Sequence, residues 1–143
     1  MPMCTPAVLL AAVLLTGCDE ALNSPALPGL VARTEHRTYA KGETITVTIS
    51  NRGDTPVFFK HCGRLMMREV EVQSGVCWEP SYFTVCKNHL MPEYRPLFPG
   101  DTVSFVDLFV SREDGVYRWV IPFGTEPRPE LPEKLFSNAF RVQ

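Results

Sequence analysis

Between Thr44 and Ser50 the side chains alternate in character, with Ile45, Val47 and Ile49 set against Thr44, Thr46, Thr48 and Ser50. A period of two puts the aliphatic residues on one face of an extended strand and the hydroxyls on the other. The same signature returns along the chain. Val70 and Val72 alternate with Glu69, Glu71 and Gln73, while Tyr117, Trp119, Ile121 and Phe123 share one face, with Arg118 on the other. Near the end, Phe140 and Val142 share a face. Val57 to Cys62 (VFFKHC), Val76 to Trp78 and Thr102 to Val110 (TVSFVDLFV) read as further strands. Turn residues separate them: Asn51-Arg52-Gly53-Asp54, Ser74-Gly75, Pro99-Gly100-Asp101 and Asp114-Gly115. No segment carries a convincing helical period. About seven or eight short strands, each with one apolar face, need a second layer to bury against, which predicts an all-β, two-sheet sandwich.

Composition agrees. The 143 residues suffice for one domain, and 45% hydrophobic content is too high for a disordered chain. Thirteen prolines against nine glycines favour turns over long helices. The formal charge is -2, and the 14 basic and 16 acidic residues are interspersed. That distribution lacks the basic footprint of a nucleic-acid binder.

Those charges all lie after Cys18. Before it, Ala7 to Leu15 reads AVLLAAVLL, too short for a bilayer core of ~30 Å that needs about 20 residues. The length suits the apolar region of a signal peptide. Leu15-Thr16-Gly17-Cys18 follows, and this LTGC resembles the lipobox of bacterial lipoproteins: an aliphatic residue, two small ones and a cysteine. The n-region MPMCTP departs from the pattern in having no Lys or Arg. The resemblance implies cleavage before Cys18, lipid on its sulfur, and export to the cell envelope, facing the periplasm from the inner or outer membrane. Two or more acyl chains anchor stably where one binds marginally. Residues 1–17 are then the signal peptide, and 18–31 the lipidated cysteine with a Pro- and Gly-containing tether. Residues 32–143 are the domain.

The stretch from Thr38 to Val142 resembles bacterial immunoglobulin-like lipoprotein domains. TYAKGETITVTISNRGDTPVFFKHCG, the PGDTV turn, GVYRWVIPF and SNAFRV carry the likeness. It implies an immunoglobulin-like sandwich and brings no catalytic residues. Asp114-Gly115-Val116-Tyr117 resembles the tyrosine corner of such domains, where the phenol bonds back to nearby backbone. A weaker likeness, in the first strands and the PGDTV turn, is to small β-sandwich proteinase inhibitors, with no inhibitory loop to transfer.

After cleavage Cys62, Cys77 and Cys86 remain. An oxidising compartment favours one disulfide. Cys62 to Cys86 is preferred, closing about 25 residues for ~3 kcal/mol in the chain-entropy model. Cys77 is then a free, buried thiol, or the alternative partner of either. A competing reading gathers His61, Cys62, Cys77, Cys86 and His89 as ligands for zinc or Cu(I). Their spacing fits no tight zinc template, and no cofactor is expected.

Catalytic signatures are missing: there is no G-x-S-x-G, no H-E-x-x-H and no phosphate loop. His61 and Cys62, as strand neighbours, point to opposite faces. Glu69 and Glu71 share a face that reads as solvated. Arg52-Gly53-Asp54 spells RGD at an expected hairpin tip, where the turn alone accounts for Gly53 and Asp54. The Pro-rich segment Glu79 to Pro99 reads as a long connection. Its aromatics Tyr82, Phe83, Tyr94 and Phe98 are the first candidates for a binding surface, unless they fold back to cap the sandwich. The expectation is a membrane-anchored, non-enzymatic, monomeric accessory domain with an envelope protein as partner and no nucleic acid.

Overall fold

The computed structural model describes residues 27–87, 91–107 and 113–143. Cys18, the segment before it, most of the tether and His89 lie outside these residues. The strands, in chain order, are β1 (Leu30–Thr34), β2 (Thr38–Tyr39), β3 (Ile45–Asn51), β4 (Val57–Cys62), β5 (Leu65–Met66) and β6 (Glu69–Ser74). They continue as β7 (Cys77–Phe83), β8 (Glu93–Leu97), β9 (Thr102–Asp107), β10 (Gly115–Gly124), β11 (Glu133–Phe136) and β12 (Phe140–Val142). No helix occurs among the described residues.

Two sheets form. The smaller has the antiparallel order β1-β3-β9. The larger is organised around β10, whose ten residues change partners midway. On one edge Tyr117–Val120 pairs with β6 and Phe123–Gly124 with β4; on the other Gly115–Tyr117 pairs with β12 and Val120–Phe123 with β11. Pro122 falls where β6 has ended and β4 has not begun, a gap that suits a residue with no N–H. β7 extends the sheet beyond β6, and β8 extends it beyond β4.

The connectivity is immunoglobulin-like. β1, β3 and β9 make one sheet, while β4, β10 and β12 belong to the other. The chain switches sheets early, so that β2 runs parallel to the terminal β12, with Thr38 opposite Arg141. The tyrosine corner is present: the Tyr117 hydroxyl donates to the Glu113 carbonyl at 3.1 Å. Gly115 suits that place, because a Cβ on it would stand 3.0 Å from the Tyr117 ring, closer than an ordinary contact.

Alternation explains the core. Ile45, Val47 and Ile49 face Tyr117, Trp119, Ile121 and Phe123 across the sandwich, joined by Tyr39, Phe59, Val70 and Phe140. Trp119 is fully buried, stacked with Phe140 and edge-on to Phe105.

Several expectations need correction. Twelve strands occur among the described residues, because short β2, β5 and β11 add to the expected ones and because Glu79 to Pro99, read as a connection, is largely strand (β7 and β8). β1 begins at Leu30, inside the segment read as tether, and Leu30 belongs to the core. The RGD triplet is not at a hairpin tip, since β3 and β4 lie in different sheets and residues 52–56 cross between them. Buried Asn51 holds that crossover by donating to the Thr55 and Leu97 carbonyls at 2.9 and 3.0 Å and accepting from Gly53 N–H at 3.1 Å.

Candidate functional site

β4 ends at Cys62, and a turn through Gly63, at φ 59°, brings the chain back as β5. After β7, Thr84 crosses back to Arg68: its N–H donates to the Arg68 carbonyl at 2.9 Å, and its hydroxyl accepts from the Arg68 N–H at 2.8 Å. That clamp carries Cys86 to Cys62, and the two are joined as a disulfide with Cα atoms 5.5 Å apart. The preferred pairing is therefore the one present.

Around this bridge lies a groove of about 440 Å³ lined by Cys62, Leu65, Tyr82, Phe83 and Val85, with Lys87 as its charged member. Leu65, Tyr82, Phe83 and Val85 are all exposed, Phe83 at 62%. Isolated exposed apolar residues need no explanation, whereas these four lie around one groove and form a single apolar patch. The walls are held by strand pairing, the Thr84 clamp and the disulfide. The groove is thus preformed, which lowers the entropy cost of binding.

The candidate aromatics divide. Tyr82 and Phe83 line the groove, as residues of a strand and not of a loop. Tyr94 is half-buried on β8 opposite Lys60, and Phe98 is exposed in the turn before β9, so neither lines this groove. They do not cap the sandwich as a set. Leu65 and Val85 escaped sequence reading because a single aliphatic residue beside a turn carries no periodic signal.

The proposed ligand cluster is not assembled. Cys62 and Cys86 are spent in the disulfide, and no group of three metal-ligating side chains occurs among the described residues. Cys77 is half-buried at the start of β7 and is not a free thiol, since it too is disulfide-bonded. His61 is buried, with Nδ1 3.1 Å from the Phe59 carbonyl. Burial pushes its pKa below the usual 6.5, outweighing that hydrogen bond, which acts the other way. The pair Glu69 and Glu71 is not a solvated edge. Glu71 accepts from Arg118 Nε at 2.7 Å, and the Arg118 guanidinium lies 4.3 Å from the ring centres of both Trp78 and Phe136.

No protein-family model matches the chain, and no curated protein matches it. Among solved structures it is similar to a Pseudomonas fluorescens alkylpurine DNA glycosylase bound to DNA, at 12% identity and a TM-score of 0.39, over 80% of this chain and 30% of that one. It is also similar to PapD-like domain 7 of human CEP192, at 17% identity and a TM-score of 0.31, over 90% and 92% of the two chains. A third likeness is to the bacterial superantigen toxic shock syndrome toxin-1, at 12% identity and 0.30, over 80% and 98%. The chain spans less than a third of the glycosylase. Likenesses this slight bear on neither fold nor function, and the fold assignment rests on strand order and register.

Proposed function

We propose that this protein is a lipid-anchored lipoprotein of the bacterial cell envelope whose immunoglobulin-like domain is a non-catalytic accessory module, presenting the groove beside Cys62–Cys86 to an envelope protein. The observation that carries the reading is the cluster of Leu65, Tyr82, Phe83 and Val85, exposed together on a rigid wall. Interfaces are enriched in such aromatics at their centres, with charge at the rim, where Lys87 stands. The disulfide fits an exported chain, and LTGC at residues 15–18 supplies the route. Joined as cystine, Cys62 and Cys86 have no thiolate for His61 to activate, which supports a non-catalytic reading.

The test is a photo-cross-linker placed at position 83 of the full chain in intact envelopes. Phe83 should yield one discrete adduct with an envelope protein, lost when Tyr82 is changed to Lys. Val76, 81% exposed and outside the groove, should yield none. Equal labelling from both positions, or no adduct from 83, would contradict the proposal.

A further inference from the structure

The outer edge of β9 is unpaired among the described residues, since β9 bonds only to β3. Three other edge strands are guarded. β7 carries Pro80 and a register shift opposite Val70 and Glu71, β8 carries Pro96, and β1 is met by Ser137 through a bridge to Ala32. β9 reads TVSFVD, with no proline, no basic residue and no bulge. An extended strand with such an edge is a template for another strand.

The direction of its backbone groups follows from one bond. Asn51 N–H donates to the Asp101 carbonyl at 3.0 Å, so Asp101 turns its carbonyl toward β3. Backbone groups alternate along a strand. Val103 and Phe105 therefore bond toward β3, while Thr102, Ser104 and Val106 present N–H and C=O outward. An antiparallel copy of the same strand, centred on Ser104, places Ser104 opposite Ser104 and Thr102 opposite Val106. All three outward residues are then matched in hydrogen-bonded pairs.

Side chains from Thr102 to Val106 agree with this register. Val103 and Phe105, packed against the core, meet each other on the inner side. On the outer side, hydroxyls already run across the sheet, with Thr48 and Ser104 3.0 Å apart and Thr102 donating to Ser50 at 3.2 Å. Pairing Ser104 with its own copy continues that ladder across the two-fold axis. Val106, 63% exposed on a strand of hydroxyl neighbours, gains cover beside Thr102 of the second chain.

We infer that two copies of this chain pair through β9, joining their small sheets into one continuous sheet about a two-fold axis at Ser104. This replaces the monomeric expectation, and it does not rest on the lipid anchor or on the groove.

The experiment is oxidative cross-linking of Ser104→Cys in the full chain, in the cells that make it. A hydrogen-bonded antiparallel pair sets Cα atoms ~5.5 Å apart, within disulfide reach. S104C should form a covalent dimer of twice the chain mass. T48C, one strand further from the axis on the same face, should not. Adding Val106→Lys to S104C should cut the dimer about tenfold by charging the edge. No dimer from S104C, equal dimer from T48C, or a cross-link to a chain of different mass would each overturn the inference.

Discussion

Arg68 and Asp107 form an ion pair that ties the two sheets together. Arg68 stands just before β6 of the larger sheet and Asp107 ends β9 of the smaller one; their side chains are 4% and 13% exposed. Arg68 Nε donates to the carboxylate at 2.8 Å, Nη1 donates to the Met66 carbonyl at 2.7 Å, and the guanidinium lies 4.3 Å from the Phe105 ring centre. Removing one partner leaves a buried charge, whereas replacing both by apolar groups removes the problem. Asp107→Ala should therefore cost about 3–5 kcal/mol in urea unfolding. The double variant Arg68→Met with Asp107→Leu should recover most of it. Equal loss in both would show that packing alone is at stake.

The tyrosine corner gives a smaller, sharper effect. Tyr117→Phe removes the bond to the Glu113 carbonyl but keeps the ring against Phe140. The expected cost is about 1 kcal/mol, measured by denaturant midpoint at unchanged slope. Gly115→Ala should cost more, because its Cβ meets that ring at 3.0 Å.

Opening the disulfide tests the frame of the groove. Cys62 and Cys86 are 24 residues apart, and Cys62→Ser with Cys86→Ser should lower stability by ~3 kcal/mol. Reductant should destabilise the native chain more than the variant, in which only the Cys77 bond is left to open. The position-83 cross-link should weaken in parallel if the bridge holds the groove open.

His61 gives a pH signature. Its folded pKa lies below its unfolded value of 6.5, so the unfolded chain binds the proton more readily. The contribution of neutral, buried His61 is complete above 6.5 and is lost as pH falls from there through the folded pKa. Chemical denaturation from pH 7.5 to 5.5 should show this decline, with the slope flattened in His61→Gln. A slope unchanged by that substitution would assign the decline to other groups.

Much of the fold was legible because alternation survives in β3, β6 and β10, and turn residues mark their ends. β8 was not, since Pro96 interrupts its pattern, and β7 was seen only at its start, since Pro80 breaks the run. The first two residues of β1, Leu30 and Val31, were placed in the tether because Pro28-Gly29 precedes them and the strand's five residues carry one clear alternation. The Cys62–Cys86 pairing could be preferred because Cys62 ends a strand and Cys86 falls in the long return segment. The Arg68–Asp107 pair could not be read at all. A charged residue between two strands looks solvent-facing, and its partner is 39 positions away. The groove is likewise a product of the Thr84 clamp, a tertiary contact without a sequence mark.

The central claim is that this domain works from a lipid on Cys18. The most direct measurement is mass spectrometry of the N-terminal peptide from the membrane fraction, with Cys18→Ala fractionated beside it. The account predicts a chain that begins at Cys18, bears a diacylglyceryl thioether, and leaves the membrane in C18A. A Cys18 recovered unmodified or in a disulfide, or a C18A chain still membrane-bound at the same mobility, would contradict it.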